Sequence, residues 1–254
     1  MSNAQGPVTG SSAKAPMCAE HVAAAFDALA PSWDMGHGPW SPRSLGFRLR
    51  AGLLRRIIQD RPAPCRVLDI GCGTGRYLLA ASAHLDQGVG IDISHAMIER
   101  ARRHADACDR AGRLHFEVRP VERLAGWRHE PFHLVLFLGS LEHIAEPARA
   151  IADAARLLHP GGLLLAIILH PRHPLGRRAE RSVHRGTMPP LRLIAPEHLE
   201  GWAHSAGLAP APLTGPEPVR RLSWWSVYAA LNMLLVGRRI LLFQRAPQIA
   251  GGAA

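Results

Sequence analysis

The amino-acid sequence predicts an α/β protein with a doubly wound, mainly parallel β-sheet. Short β-type runs alternate with segments of helical period along most of the 254 residues, which is typical of such a sheet. The run Arg66–Ile70 breaks at once into a glycine-rich turn, and a helix begins near Arg76. Strand, turn and helix in this order form the ligand-binding edge of open α/β sheets.

The predicted strands are short apolar runs bounded by turn residues. In chain order they are Arg66–Ile70, Gly88–Ile91 (ending at Asp92), Leu114–Arg119, His133–Leu138, Leu163–Leu169, Leu208–Pro212 and Ile240–Gln244. Leu163–Leu169 is apolar throughout, as expected of a central strand covered on both faces. A turn at His159–Gly162 is expected to precede it.

The predicted helices have apolar residues at helical spacing. They are Glu20–Leu29, Ser44–Ile58, three helices that begin near Arg76, at His95 and at Pro147, and Pro196–Ala206. Pro147 suits a first helical turn because its missing N–H costs nothing there. The regular pattern stops at His170–Pro190, where prolines and basic side chains predict an irregular lid.

Composition excludes a disordered chain and a disulfide scaffold, with 47% hydrophobic residues and four cysteines. Those cysteines (Cys18, Cys65, Cys72 and Cys108) form no CxxC pair, which favours a reduced, cytoplasmic compartment. The net charge of +10 comes almost entirely from arginine, since Lys14 is the only lysine. A GC-rich coding sequence produces that bias without an acidic partner, so nucleic-acid binding stays an alternative.

The glycine turn points to a particular kind of ligand. Its spacing is G-x-G-x-G over Gly71–Gly75, with Arg76 where a dinucleotide-binding turn would place its third glycine. Asp69 stands directly before the turn, where a carboxylate would crowd an anionic pyrophosphate. A carboxylate there suits a positively charged cofactor, and S-adenosylmethionine carries such charge on its sulfonium and amino groups.

At four segments the sequence resembles the class I S-adenosylmethionine-dependent methyltransferases. They are VLDIGCGTGRY (67–77), GIDIS with Met97 (90–97), FHLVLFLGSLEHI (132–144) and LLHPGGLLLAI (157–167). Within the family, the motifs look most like those of the small-molecule group (methyltransferase type 11), which includes ubiquinone and menaquinone biosynthesis enzymes. The segment FDALAPSWD (26–34) also resembles the opening segment of that group. The resemblance implies a seven-stranded sheet whose last strand is antiparallel.

The resemblance also implies the residues that bind the cofactor and its product S-adenosylhomocysteine. Asp69, Gly71 and Gly73 would bind the methionine end, and Cys72, Thr74 and Gly75 complete the turn. Asp92 would accept hydrogen bonds from the ribose hydroxyls. Ile93 and Met97 would flank the adenine, and Leu138 and Gly139 would line the methyl-donor side. Relatives commonly carry an acidic residue where this chain has Pro120, so Val121 and Glu122 must supply adenine contacts. His133 replaces the usual aspartate of the fourth strand, a position that is generally structural.

His143 is the candidate catalytic base, because its ordinary pKa suits proton removal from an acceptor hydroxyl. Alternatively, it bonds the backbone of the following turn. Glu142 is expected to hold that turn or to approach the cofactor. His170 and His173 are further candidates for acceptor contact, and the basic lid Arg172–Arg185 either holds an acidic acceptor or is surface. No metal is expected, because these histidines lack acidic partners.

The sequence therefore predicts a methyltransferase acting on a small hydrophobic or aromatic acceptor, with O-methylation favoured. The alternative is an RNA or other nucleic-acid methyltransferase that uses the basic surface. Against it, LGSLE (138–142) lacks the Asn/Asp-Pro-Pro-aromatic tetrapeptide of base N-methylation, and no aromatic platform interleaves with basic residues. The glycine spacing disfavours a dehydrogenase, and the intact cofactor residues disfavour a non-catalytic regulator.

We expect one domain over residues 17–254, after a disordered tail at 1–16. It comprises a helical cap (17–64), a cofactor-binding half (65–169) and an acceptor-side half with the lid (170–254). In the last part, Leu222–Val236 is apolar almost all round a helix. It forms either a core or dimer helix, or a wall for a hydrophobic acceptor presented from a membrane surface, with Trp224 and Trp225 at the interface.

Overall fold

A seven-stranded β-sheet organises the chain in a computed structural model that describes residues 17–35, 42–61, 63–108, 112–212 and 238–247. The strands are β1 (Arg66–Ile70), β2 (Gln87–Asp92), β3 (Leu114–Val118), β4 (Phe132–Leu138), β5 (Leu158–Leu169), β6 (Leu208–Pro210) and β7 (Arg238–Arg245). Their order is β3-β2-β1-β4-β5-β7-β6, and β1 to β5 run parallel. β7 is antiparallel to both its neighbours, β5 and β6. The predicted fold class is confirmed.

Seven α-helices flank this sheet in the described residues. They are α1 (Ala19–Trp33), α2 (Pro42–Gln59), α3 (Arg76–Ala81), α4 (His95–Ala107), α5 (Pro147–Arg156), α6 (Pro174–His184) and α7 (Pro196–Ser205). Two short 3-10 helices, Val121–Arg123 and Leu141–His143, follow β3 and β4. None of the described helices is long and apolar enough to cross a bilayer.

The core has two layers, one on each face of the sheet. Successive residues of a strand point to opposite faces, so Val135 and Phe137 pack in one layer and Leu134 and Leu136 in the other. Helices α5 and α7 cover the first layer, while α2, α3 and α4 cover the second. Burial on both faces explains why the central strands read as continuous apolar runs.

Two local expectations are wrong. Strand β5 begins at Leu158, which pairs with Phe132 before a register shift, so the segment expected as a turn, His159–Gly162, lies inside the strand as an irregularity, with Gly161 at a φ of +75°. The region after β5 is not an irregular lid, since it contains helix α6. Pro174 sits in the first turn of that helix, where proline is tolerated, and the His173 side chain accepts a hydrogen bond from the Leu175 N–H at 3.2 Å.

Two expectations lie outside the described residues and stay predictions. The tail at 1–16 is one, and the apolar helix over Leu222–Val236 is the other. The division of residues 17–254 into a cap and two functional halves also stays a prediction.

Candidate active site

A cavity of about 550 Å³ lies at the carboxyl edge of the parallel strands, under α1. Ligand sites of small molecules typically enclose about 300–1,000 Å³. The cavity brings together most of the site residues predicted from the sequence: Gly71, Cys72, Gly73, Thr74, Asp92, Ile93, Met97, Val121, Glu122, Leu138, Gly139 and His143. Residues that are far apart in the chain thus share one space.

Two predicted site residues, Asp69 and Gly75, do not line the described cavity. Asp69 is 1% exposed inside β1, and neither of its carboxyl oxygens has a hydrogen-bond partner among the residues that the structure describes. Burial, and secondarily the nearby Asp92 carboxylate, raise the pKa of Asp69 to about 8. Gly75 serves packing, because a Cβ there would stand 2.7 Å from the Phe116 ring.

The backbone of the glycine turn forms a cradle against the cavity. The Gly71 and Cys72 N–H groups donate to the Ile91 carbonyl at 2.8 and 3.0 Å, which ties the turn to β2. Gly73 has a φ of +53°, and a Cβ there would meet only open space and the Trp33 indole nitrogen at 3.7 Å. A side chain at Gly73 would therefore project into the space that a ligand needs.

Asp92 ends β2 with its carboxylate at the cavity, 9% exposed. Its Oδ2 accepts from the Gly73 N–H at 2.8 Å, and its Oδ1 accepts from the Ser94 N–H at 2.9 Å. Burial raises the pKa of Asp92, although these backbone donors oppose the shift. Ser94, not Asp92, caps α4, because its Oγ accepts from the Met97 N–H at 3.1 Å. The Ile93 N–H is a third backbone donor to this carboxylate, and a carboxylate has about four lone-pair sites, so Asp92 retains capacity to accept from a ligand hydroxyl.

Two aspartates hold α1 over the cavity, a feature that the sequence analysis missed. Asp27 Oδ1 accepts from the Ser94 hydroxyl at 2.6 Å, at the start of α4. Directly after α1, Asp34 accepts from the Thr74 hydroxyl at 3.0 Å and pairs with Arg100 at 3.1 Å. The FDALAPSWD segment contains both aspartates and was the available signal, although it did not reveal their partners.

His143 has one ring nitrogen anchored and one left for chemistry. Its Nδ1 lies 2.7 Å from the Pro190 carbonyl oxygen, which can only accept, so Nδ1 carries the proton and donates. The Nε2 of a neutral ring then bears the lone pair. Burial lowers the pKa of His143, which keeps the ring neutral at neutral pH. Phe26 of α1 packs edge-on against the ring, with centroids 5.0 Å apart.

Beside His143, the buried Glu142 forms an ion pair with the partly exposed Arg238. Glu142 Oε1 accepts from the Leu169 N–H at 2.7 Å and lies 3.6 Å from Arg238 Nη1. Glu142 thus holds its turn against β5, as one of the two expectations had it. Arg238 lines the cavity and was missed, although β7 is antiparallel and so begins at the carboxyl edge of the other strands.

The remaining candidates stand away from the described cavity. His170 Nδ1 accepts from the Arg172 N–H at 3.2 Å, and His173 caps α6. After α6, Thr187, Met188 and Pro189 reach the cavity instead.

Within the described ranges, no group of three or more His, Cys, Asp and Glu side chains is arranged to hold a metal ion. His133 has a structural contact, since its Nδ1 accepts from the Arg66 N–H at 3.2 Å.

Comparison with known proteins identifies the family. Residues 67–162 match a family model described as a methyltransferase domain. A ubiquinone biosynthesis O-methyltransferase of Xanthomonas axonopodis pathovar citri is 30% identical over 220 residues, covering 82% of this chain and 90% of that protein. The chain belongs to the class I S-adenosylmethionine-dependent methyltransferases. It is therefore an enzyme whose cofactor is S-adenosylmethionine.

Solved structures share the fold of this methyltransferase at lower identity. Magnesium protoporphyrin IX methyltransferase from Synechocystis superposes with a TM-score of 0.67 at 17% identity, over 90% of this chain and 99% of that one. The cyclase SpnF superposes with a TM-score of 0.64 at 19% identity, over 89% of this chain and 95% of that one. Because a cyclase also has this fold, the reaction must be argued from the site.

Proposed function

We propose that this methyltransferase methylates a hydroxyl oxygen on a small, apolar, aromatic acceptor. The observation that carries the proposal is His143, a neutral imidazole in the same cavity as Gly73 and Asp92. The name O-methyltransferase of the ubiquinone biosynthesis relatives supports oxygen as the methylated atom. The nucleic-acid alternative draws no support from these relatives.

The cavity fits S-adenosylmethionine at its sheet-turn side. Asp92 would accept from the ribose hydroxyls with its remaining lone pairs, and the open space over Gly73 would take the chain that links ribose to methionine. Ile93 and Met97 would flank the adenine, and Val121 and Glu122 would meet its edge. The buried Asp69 carboxyl has no partner in the described structure and would ionise when a cationic cofactor binds nearby.

The bound cofactor supplies a methyl group on a sulfonium, so that transfer breaks the S–CH3 bond, forms an O–CH3 bond and leaves the electron pair on sulfur. The hydroxyl proton of the acceptor goes to Nε2 of His143, which Pro190 holds in the required tautomer. Gly139 and Leu138, at the end of β4, would line the path between the two reactants. Holding both reactants in line supplies much of the acceleration.

The acceptor side of the cavity is mainly apolar. Val22 and Phe26 of α1, Ile144 after the second 3-10 helix, and Met188 and Pro189 after α6 contribute its surface. An apolar acceptor would bury its body against these side chains. A lipid-like acceptor presented at a membrane would suit this apolar surface.

Transfer of labelled methyl tests the proposal. The enzyme is incubated with S-adenosylmethionine labelled on its methyl group and with 4-butylcatechol, an organic-soluble cell extract or cellular RNA. We expect label in the organic phase and none in RNA. Label in RNA alone would overturn the proposal in favour of the nucleic-acid alternative.

A matched pair of variants tests the base. His143→Asn keeps an N–H to donate to Pro190 and lacks the second ring nitrogen, so kcat should fall about 10²- to 10⁴-fold. The dissociation constant for S-adenosylhomocysteine should not change. His170→Asn makes the same substitution outside the described cavity and should retain full activity. Equal activities of the two variants would contradict a role for His143 as base.

A further inference from the structure

We propose that Arg238 binds the acceptor and that the acceptor carries an acidic group, a phenol or a carboxylic acid, whose anion lies against this guanidinium. The inference deepens the proposed function and rests on it for the location of the acceptor. Neither the family match at residues 67–162 nor the motifs of the sequence include Arg238.

The topology brings Arg238 to the reacting edge of the sheet. Arg238 is the first residue of β7 and pairs in register with Leu169, the last residue of β5. It therefore lies where the parallel strands end, and its side chain extends across β5 to Gly139, directly after β4. Its side chain is 29% exposed and lines the cavity, so a bound molecule can reach it.

The missing side chain of Gly139 makes room for the guanidinium. A Cβ built at Gly139 would stand 2.6 Å from Arg238 Nη1, so any side chain at 139 would displace that nitrogen. Gly139 directly follows β4 and lies on the predicted methyl-donor side of the cavity. The positive charge is thus placed next to the position proposed for methyl transfer.

The neighbouring carboxylate positions Arg238 instead of binding it tightly. Glu142 Oε1 is 3.6 Å from Arg238 Nη1, longer than the 2.7–2.9 Å or so of a strong charge-assisted hydrogen bond. That oxygen already accepts from the Leu169 N–H at 2.7 Å. Because a guanidinium carries five N–H donors, Arg238 can bind an acceptor anion in the cavity while it keeps its contact with Glu142.

Arg238 and His143 would divide the work on an acidic acceptor. For a phenol, the guanidinium stabilises the anion and so lowers the pKa of the hydroxyl, while the neutral imidazole takes its proton. A carboxylic acid is already ionised at neutral pH, so it would use the guanidinium and need no base. The surrounding apolar residues accommodate an uncharged body, because charges exposed to them would lose hydration. An apolar molecule with one acidic group matches both parts of this surface.

Binding of two matched ligands tests the inference without turnover. Calorimetry at neutral pH compares 4-butylbenzoate, which is an anion, with the uncharged 4-butylbenzamide on the enzyme saturated with S-adenosylhomocysteine. We expect the wild type to bind the benzoate at least about tenfold more tightly, since a charge-assisted pair is worth over 1 kcal/mol. Arg238→Met should abolish that preference and leave benzamide binding unchanged.

Two further variants complete the test. Arg239→Met is the matched control, because Arg239 is the next residue of β7, is exposed and points to the other face. It should retain the preference, whereas Arg238→Lys, which keeps the charge without the planar fork, should retain part of it. A preference that survives Arg238→Met, or is equally lost in Arg239→Met, would overturn the inference. Label transfer with no anion preference would reject this inference alone and leave the proposed function standing.

Discussion

Replacing Asp92 by asparagine separates ribose binding from the structural work of this carboxylate. Asp92 accepts from the Gly73 and Ser94 N–H groups at 2.8 and 2.9 Å, one with each oxygen. Asparagine keeps one acceptor oxygen, so one backbone donor and one ribose hydroxyl lose their partner. A hydrogen bond to a charged group contributes about 1.5–3 kcal/mol, so cofactor affinity should fall about 10- to 150-fold.

The same substitution should reduce the free energy of unfolding by less than it reduces the free energy of cofactor binding. The orphaned backbone N–H costs about 1–3 kcal/mol, but removing a buried charge offsets part of that cost. A domain stable by about 5–15 kcal/mol remains folded after such a loss. Affinity should therefore change more than stability.

The assay pairs calorimetric titration of S-adenosylhomocysteine with urea denaturation. Asp86→Asn is the matched control, because Asp86 Oδ2 accepts from the Cys65 N–H at 2.6 Å at the amino edge of the sheet, away from the cavity. It should alter stability and leave the dissociation constant unchanged. If Asp92→Asn also left the dissociation constant unchanged, Asp92 would merely hold the turn and the start of α4.

Three other predictions concern Gly73, Asp69 and His143. Gly73→Val places a branched side chain in the space for the ligand, so S-adenosylhomocysteine binding should disappear in calorimetry, and retained binding would contradict the proposed cradle. Backbone strain at a φ of +53° should also reduce stability by about 1–3 kcal/mol. Asp69 has its pKa raised to about 8, so the folded state keeps a proton that the unfolded chain loses near pH 4, and stability should fall as pH rises between these values. Asp69→Asn should remove that slope in urea denaturation at several pH values, and an unchanged slope would assign it to other groups. Because burial lowers the pKa of His143, the fall of kcat at acidic pH should have its midpoint below about 6.5, and His143→Asn should not show this fall. A midpoint above that value would indicate another base.

Local sequence predicted the central strands well because their apolar runs reflect burial on both faces. It misplaced the start of β5, since Pro160 and Gly161 read as a turn, whereas the strand contains them as an irregularity between the Leu158–Phe132 pair and the pairs that begin at Leu163. Helix α6 was missed for a related reason, because the prolines around it dominate the local pattern.

Local sequence likewise predicted some residues of the candidate site and missed others. Gly73 and Asp92 were predicted because strand, turn and carboxylate lie within one short stretch of sequence. Arg238 and the aspartates of α1 were not, because their role depends on which segments meet in space. His143 is intermediate, since its position was predicted but its anchor, Pro190, lies 47 residues away.

The match to the family model says more about the cofactor site than about the acceptor site. The family model matches residues 67–162, which contain the cofactor turn, Asp92 and His143. Much of the acceptor side comes from outside that range, from Phe26 in α1, Met188 after α6 and Arg238 in β7. We expect changes at those positions to alter acceptor binding more than cofactor binding. The proposed acceptor class therefore depends on them, and an apolar surface with Arg238 at its edge would select an apolar molecule bearing one acidic group.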